Sequence, residues 1–208
     1  MITQEQQKII IQDIYNKYGF DFSHYSNASL TRRIHSFMVK ERIRTFEDLQ
    51  LRLLNSHFYF TNFVEEITVN VTEMFRDADF FSALRETIIP VLATYPFIRI
   101  WHAGCSTGEE VYSMAILLQE ANLLHKSILY GTDINLSVIE KAKQGILPMS
   151  YMQLYAENYT KAGGQEDFSK HYTANYNLAK IDSALLSRIV FSSHNLSSDA
   201  SFNEFQLI

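Results

Sequence analysis

The sequence predicts a two-part chain, an all-helical front followed by an α/β body. Apolar residues of the front recur at helical spacing. From Phe97 on, strand, glycine turn, helix, strand, acid and helix follow one another, which is the order of a parallel sheet. With 47% hydrophobic and 20% charged residues over 208 positions, and only seven glycines and three prolines, the chain has a core-forming composition and is neither collagenous nor low-complexity.

In the front, Ile10, Ile14, Tyr15 and Tyr18 share a helical spacing that stops at Gly19. Ser29 is placed to cap a second helix with Leu30, Ile34, Phe37 and Met38 on one face and arginines on the other. Thr45, with Asp48 three positions on, starts a third over Phe46 to Leu54, and a fourth runs from Phe58 to Val69. Phe80, Phe81, Leu84, Ile88 and Ile89 then form a helical stripe expected to end at Pro90.

In the body, 97–101 reads as a strand rich in β-branched and aromatic residues. The turn Ala103-Gly104-Cys105-Ser106-Thr107-Gly108 follows, then a helix from Glu109 to Ala121. A second strand over 127–132 ends at Asp133, and a helix from Leu136 to Gln144 stops at Gly145. Tyr151, Tyr155 and Tyr159 lie on one helix face, as packing residues do. The short β segments 171–179 and 188–192 break the alternation and read as a small insertion. The closing run from Glu204 to Ile208 looks like the start of a strand.

No apolar run approaches the ~18 residues of a membrane helix, and no secretory leader is recognised at the N-terminus. One cysteine, Cys105, leaves no internal disulfide and fits a reducing, cytoplasmic setting. The net charge of −5 is unevenly spread. Residues 1–60 hold eight Lys/Arg against six Asp/Glu, and residues 61–208 ten against seventeen. Arg32, Arg33, Lys40, Arg42 and Arg44 cluster in the front, as a solvated helix face or as a surface for an acidic partner. The acidic body and absence of any nucleic-acid fold signature argue against nucleic acid. The histidines show no metal-ligand spacing, so no metal is expected.

The turn at Gly104 lets backbone N–H groups approach a ligand closely. Glu109 and Glu110 stand where a pyrophosphate would seek the helix end, which disfavours a dinucleotide and suits a ligand with an amino or sulfonium group. Asp133, at the tip of the second strand, is the expected partner of ribose hydroxyls. The same residues would equally make a tight turn with acids capping a helix. Cys105 reads as a small packing residue, and His194 as a pocket-lining one.

Four blocks together are more specific than any alone: Ile67–Asp77 (ITVNVTEMFRD), Ile100–Ser113 (IWHAGCSTGEEVYS), Gly131-Thr132-Asp133-Ile134 and Phe191–Leu196 (FSSHNL). In order and spacing they resemble the CheR-type chemotaxis receptor methyltransferases, over nearly the whole chain. The resemblance implies a Rossmann-like, S-adenosylmethionine-dependent methyltransferase domain with an inserted β-subdomain behind the helical domain. It implies methyl transfer to receptor glutamates, with S-adenosylhomocysteine as product. Asn70, Thr72 and Arg76 then fall on a cofactor-contacting linker. Glu110 and Asp133 fall on cofactor contacts beside the Gly104 turn, and Asn195 and Leu196 on a contact near the adenine. The basic residues Arg32, Arg33, Lys40, Arg42 and Arg44 would face the receptor.

The expected organisation is a helical domain over 1–60, a linker over 61–77 and the methyltransferase domain over 78–208, with the β-insertion at about 165–192. Arg76 is the expected positioning residue for the incoming glutamate, since its planar fork can engage both carboxylate oxygens. A surface ion pair with Asp77 or Asp79 is the alternative. Three positions depart from the family pattern: Val111 for proline, Met74 for phenylalanine and His102 for a small residue. The family's last strands would follow Ile208, so the resemblance predicts an incomplete sheet with an open edge that an oligomer would cover. It also leaves open a catalytically dead chain that keeps cofactor or receptor binding.

Overall fold

The computed structural model describes residues 2–23, 25–68, 72–196 and 199–208. These form two compact units, one of the described residues within 1–69 and 195–200, the other of those within 70–194 and 201–208.

The first unit is helical: α1 (Gln4–Tyr18), α2 (Asn27–Lys40), α3 (Phe46–Asn55) and α4 (His57–Ile67). Thr3 and Gln6 form a capping box at the start of α1, and Gly19 closes it in the left-handed region at φ 72°. Ile10, Ile14, Leu30, Ile34, Phe37, Leu49, Leu53 and Phe63 are fully enclosed in its core. Tyr15, expected on the apolar stripe of α1, is half exposed. The second helix begins two residues before Ser29, with Ser26 at the cap position, so Ser29 lies within the first turn. Thr45 caps α3, its side chain accepting from the Asp48 N–H at 3.2 Å.

The second unit opens with α5 (Ala78–Ala83), which passes through a π-helical turn, Leu84–Ile88, into α6 (Ile89–Ala93). The helical path does not end at Pro90. Proline lacks an N–H and crowds the preceding turn, and the wider π turn just before it accommodates that loss.

A parallel three-stranded sheet follows, built from β1 (Ile98–Ala103), β2 (Ser127–Asp133) and β6 (Ile189–Ser193) in the order β1-β2-β6. The first two strands are connected through α7 (Glu109–Glu120), and α8 (Leu136–Gln144) follows β2. Leu207 bridges Ile100 on the free side of β1, and the Trp101 N–H donates to the Leu207 carbonyl at 3.0 Å. The closing run therefore does begin to pair as a parallel strand. One stretch of α7, Val111–Leu118, is buried all round, as expected of a helix lying on a parallel sheet.

A smaller antiparallel sheet combines β3 (Ile146–Pro148), β5 (Leu178–Ile181) and β4 (Tyr172–Asn175), accompanied by α9 (Met152–Lys161) and a short α10 (Ser183–Leu186). Tyr155 and Tyr159 of α9 are buried, whereas Tyr151 is exposed. This places the insertion earlier than the expected 165–192. It includes residues from Ile146, and β6 belongs to the main sheet, with Gly131 opposite Phe191. A five-residue strand carries no pattern that tells which sheet it joins; the pairing with β2 decides it.

Among the described residues no helix is long and apolar enough to cross a membrane.

Candidate functional site

The site grows from the carboxyl ends of β1 and β2, the edge at which parallel α/β sheets hold ligands. Three backbone conformations bend the chain between β1 and α7: Gly104 at φ 85°, Ser106 at φ 51° and Gly108 at φ 95°. The Gly104 and Cys105 N–H groups both donate to the Thr132 carbonyl at 2.8 Å, pinning the turn to the end of β2. A Cβ on Gly104 would meet nothing within 4 Å, so its left-handed backbone is what demands glycine there. Gly108 is constrained twice, because a Cβ there would also lie 2.8 Å from the Tyr112 hydroxyl.

Asp133 is held from two sides. Its Oδ2 accepts the Ser106 N–H and its Oδ1 the Asn135 N–H, both at 2.9 Å. A carboxylate has about four lone-pair sites, so this fixed group can still accept ribose hydroxyls. Trp101 Nε1 donates to the neighbouring Thr132 hydroxyl at 2.8 Å, which further stiffens the strand tips.

The two acids opening α7 have separate environments. Glu109 is buried and accepts from the Thr107 hydroxyl at 2.6 Å; burial pushes its carboxyl above the ordinary range. Glu110 has its side chain half exposed and lies 2.8 Å from Nδ1 of His102, which sits on β1. That contact, aided by the charges of His102 and Arg76, outweighs desolvation and holds Glu110 below the ordinary carboxylate range. Glu110 is thus held in its ionised form at neutral pH.

A cavity of about 210 Å³ is lined by Thr72, Glu73, Arg76, Asp77, Phe80, Phe81 and Glu110. The segment that forms one side of it is strained, with Phe75 at φ 52° and Asp77 at φ 56°. Phe75 holds it down. The ring is fully buried against Phe81, Tyr159 and Phe168, and its N–H donates to the Ser113 hydroxyl at 2.9 Å. Asn158 supports the same segment by donating to the Met74 carbonyl at 3.2 Å.

Arg76 pairs with Asp77 at 3.6 Å, both side chains well exposed, so this pair is weak and open to exchange. The expected surface ion pair and a place in the cavity are therefore both present for this residue. Cys105 is buried beside Asp133; burial chiefly, with that charge, pushes its thiol up to about 12 and keeps it protonated and inert.

In the second unit the cavity gathers Thr72, Arg76 and Glu110, and the bend between β1 and α7 ties Gly104 to Thr132 and Ser106 to Asp133. Asn70 lies outside the described residues. Asn195 and Leu196 belong to the helical unit, where the Asn195 side chain donates to the Gly19 carbonyl at 2.9 Å and Leu196 is exposed. Of the basic residues, Arg33 donates to the Glu66 carbonyl at 3.1 Å and Lys40 pairs with the Glu66 carboxylate at 3.3 Å. Arg32, Arg42 and Arg44 are exposed and make no ion pair among the described residues.

Sequence reasoning did not pick out Glu73, Phe80 or Phe81 as cavity-lining, and it marked His102 only as a departure from the family pattern. The alternation of β1 is the signal that could have exposed His102, since it puts the residue before Ala103 on one defined face at the strand tip. Among the described residues no cluster of three or more His, Cys, Asp or Glu could hold a metal ion.

Residues 70–208 match the family described as CheR methyltransferase, SAM binding domain, and residues 6–68 match the CheR methyltransferase all-alpha domain. A provisionally named methyltransferase of Pseudomonas putida, Cher3, is 46% identical over 206 residues, 99% of this chain and 76% of its own length. A chemotaxis protein methyltransferase of Borreliella burgdorferi is 29% identical over 71% of this chain, and that of Salmonella typhimurium 32% identical over 64%. The alignments span 56% and 45% of those two relatives, about half their length. The chain thus belongs to the CheR methyltransferase family, and its matched α/β domain is the S-adenosylmethionine-binding one.

Proposed function

We propose that this chain transfers a methyl group from S-adenosylmethionine to glutamate side chains of chemotaxis receptors. The observation that carries the reading is the cavity shared by Arg76 and Glu110, one turn of helix from the Gly108 bend. A cation suited to an incoming carboxylate and an anion suited to a cationic cofactor line the same space.

Bound there, the cofactor supplies an electrophilic methyl on a positively charged sulfur. Asp133 would hold the ribose through lone pairs left over from its two backbone contacts. Glu110, kept ionised, would face the cationic end. Arg76 exchanges its exposed contact with Asp77 for the glutamate carboxylate and fixes that group's direction. Substrate glutamate, with a reference pKa of ~4.3, is already the nucleophile at neutral pH, so no general base is needed. Alignment then carries the rate, and near-attack positioning supplies roughly 7–11 kcal/mol in well-oriented systems.

In this reading residues 1–60 form the receptor-facing domain and 61–77 the linker to the methyltransferase domain. Arg32, Arg42 and Arg44 supply the exposed positive charge for an acidic surface, since Arg33 and Lys40 are engaged with Glu66. The names of several relatives, chemotaxis protein methyltransferase, support the substrate class.

The test is transfer of labelled methyl from S-adenosylmethionine to a receptor cytoplasmic domain, read as base-labile ester that releases methanol. Arg76→Ala is expected to lower transfer at least about 30-fold, equivalent to about 2 kcal/mol. Unchanged transfer would remove Arg76 from the mechanism. A stable methyl adduct in base would exclude an ester and so a glutamate acceptor.

A further inference from the structure

His102 makes a contact that the reading above does not use. The residue ends the buried part of β1, its side chain is 5% exposed, and Nδ1 lies 2.8 Å from Oε1 of Glu110. The Glu110 carboxylate is ionised and only accepts, so Nδ1 carries the proton and donates. The other ring nitrogen, Nε2, is buried and has no hydrogen-bond partner among the described residues. A buried polar atom without a partner is costly, and a small apolar side chain at this position would avoid that cost. The ring therefore contributes something at Nδ1 that offsets it.

We propose that His102 is a positioning residue for the cofactor: it clamps Oε1 of Glu110 from the strand side and leaves Oε2 turned to the cationic end of S-adenosylmethionine. The inference rests on the proposed cofactor site and deepens it. Without the clamp, a half-exposed glutamate in the first turn of α7 is free to change rotamer. Arg76 lines the same cavity and is the cation such a glutamate would fold onto, neutralising both groups. The Nδ1 contact keeps the two apart, with Glu110 committed to one ligand and Arg76 to the other. Glu109 cannot substitute, because it is buried against Thr107.

The test is calorimetric titration of the full chain with S-adenosylhomocysteine, after circular dichroism has shown each variant folded. Asparagine places an N–H where His102 carries Nδ1, whereas glutamine reaches the position of Nε2. H102N is expected to keep affinity within about threefold, and H102A and H102Q to lose about tenfold, the size of one charge-assisted hydrogen bond. H102A combined with E110Q should be no weaker than E110Q alone, because the clamp acts only through that carboxylate.

Wild-type affinity in H102A, equal losses in H102N and H102A, or additive losses in the double variant would each overturn the proposal. If wild type binds and E110Q binds as tightly, Glu110 is no cofactor contact and the clamp has nothing to position. If the wild-type chain binds no S-adenosylhomocysteine, the cofactor site itself falls, and the positioning role with it.

Discussion

The two units use charge differently. In the helical unit the ionised side chains lie mostly on the outside, and the core is Ile, Leu and Phe in continuous contact. In the α/β unit three carboxylates near the sheet edge are fixed by directed bonds: Asp133 by two backbone N–H groups, the buried Glu109 by Thr107, and the half-exposed Glu110 by His102. The first arrangement tolerates exchange of one surface charge for another. The second does not, since a buried polar group without its partner costs far more than an exposed one. Chemistry is expected where charges are held, and in this chain that is the carboxyl edge of the parallel sheet.

The contrast can be broken by substitutions of decreasing effect. Phe75→Ala removes the ring that anchors the strained cavity segment and should destabilise the α/β unit by about 3–5 kcal/mol, read from denaturant unfolding. Arg85→Ala leaves the buried Glu120 carboxylate without its cation at 2.7 Å, and a loss of roughly 3 kcal/mol is expected. Gly108→Ala combines a left-handed backbone with a clash at Tyr112 and should cost on the order of 2–3 kcal/mol, with cofactor binding lost in parallel. Lys143→Ala breaks an exposed pair with Glu140 and should shift stability by less than about 1 kcal/mol, leaving cofactor binding unchanged. A large loss in this last variant would erase the distinction between held and exposed charge.

The pH dependence sharpens the same point. Glu110 is depressed in the folded chain, so its contribution is complete above the ordinary carboxylate range. It is lost only as the pH falls through the lower folded value. Thermal unfolding followed from neutral to acid pH should therefore show a descending limb that E110Q makes shallower. An identical limb in wild type and variant would mean that the His102 contact contributes no stability.

Much of the α/β unit was legible because its signals are local. Gly145 stops α8 where the pattern ends, Gly104 and Gly108 mark the bend, and Asp133 stands at the strand tip. What was hidden depends on partners far along the chain. The helix runs past Pro90 because a π turn precedes it, and nothing in the residues Leu84–Ile88 announces that turn. The strand Ile189–Ser193 joins the main sheet through its pairing with β2, which its sequence does not encode by itself. Phe75 and Asp77 adopt left-handed backbone without glycine, and burial and Ser113 hold Phe75 there. Likewise, His102 shows its role only when α7 returns Glu110 to its side, eight residues later.

The most direct measurement of the central claim, that the α/β unit holds the cofactor at the carboxyl edge of its sheet, is calorimetric titration of the chain and of Asp133→Asn with S-adenosylhomocysteine. The account predicts saturable one-to-one binding by the wild-type chain and at least about tenfold weaker binding by the folded variant. Equal affinity in the two, or no binding by a folded wild-type chain, would contradict it.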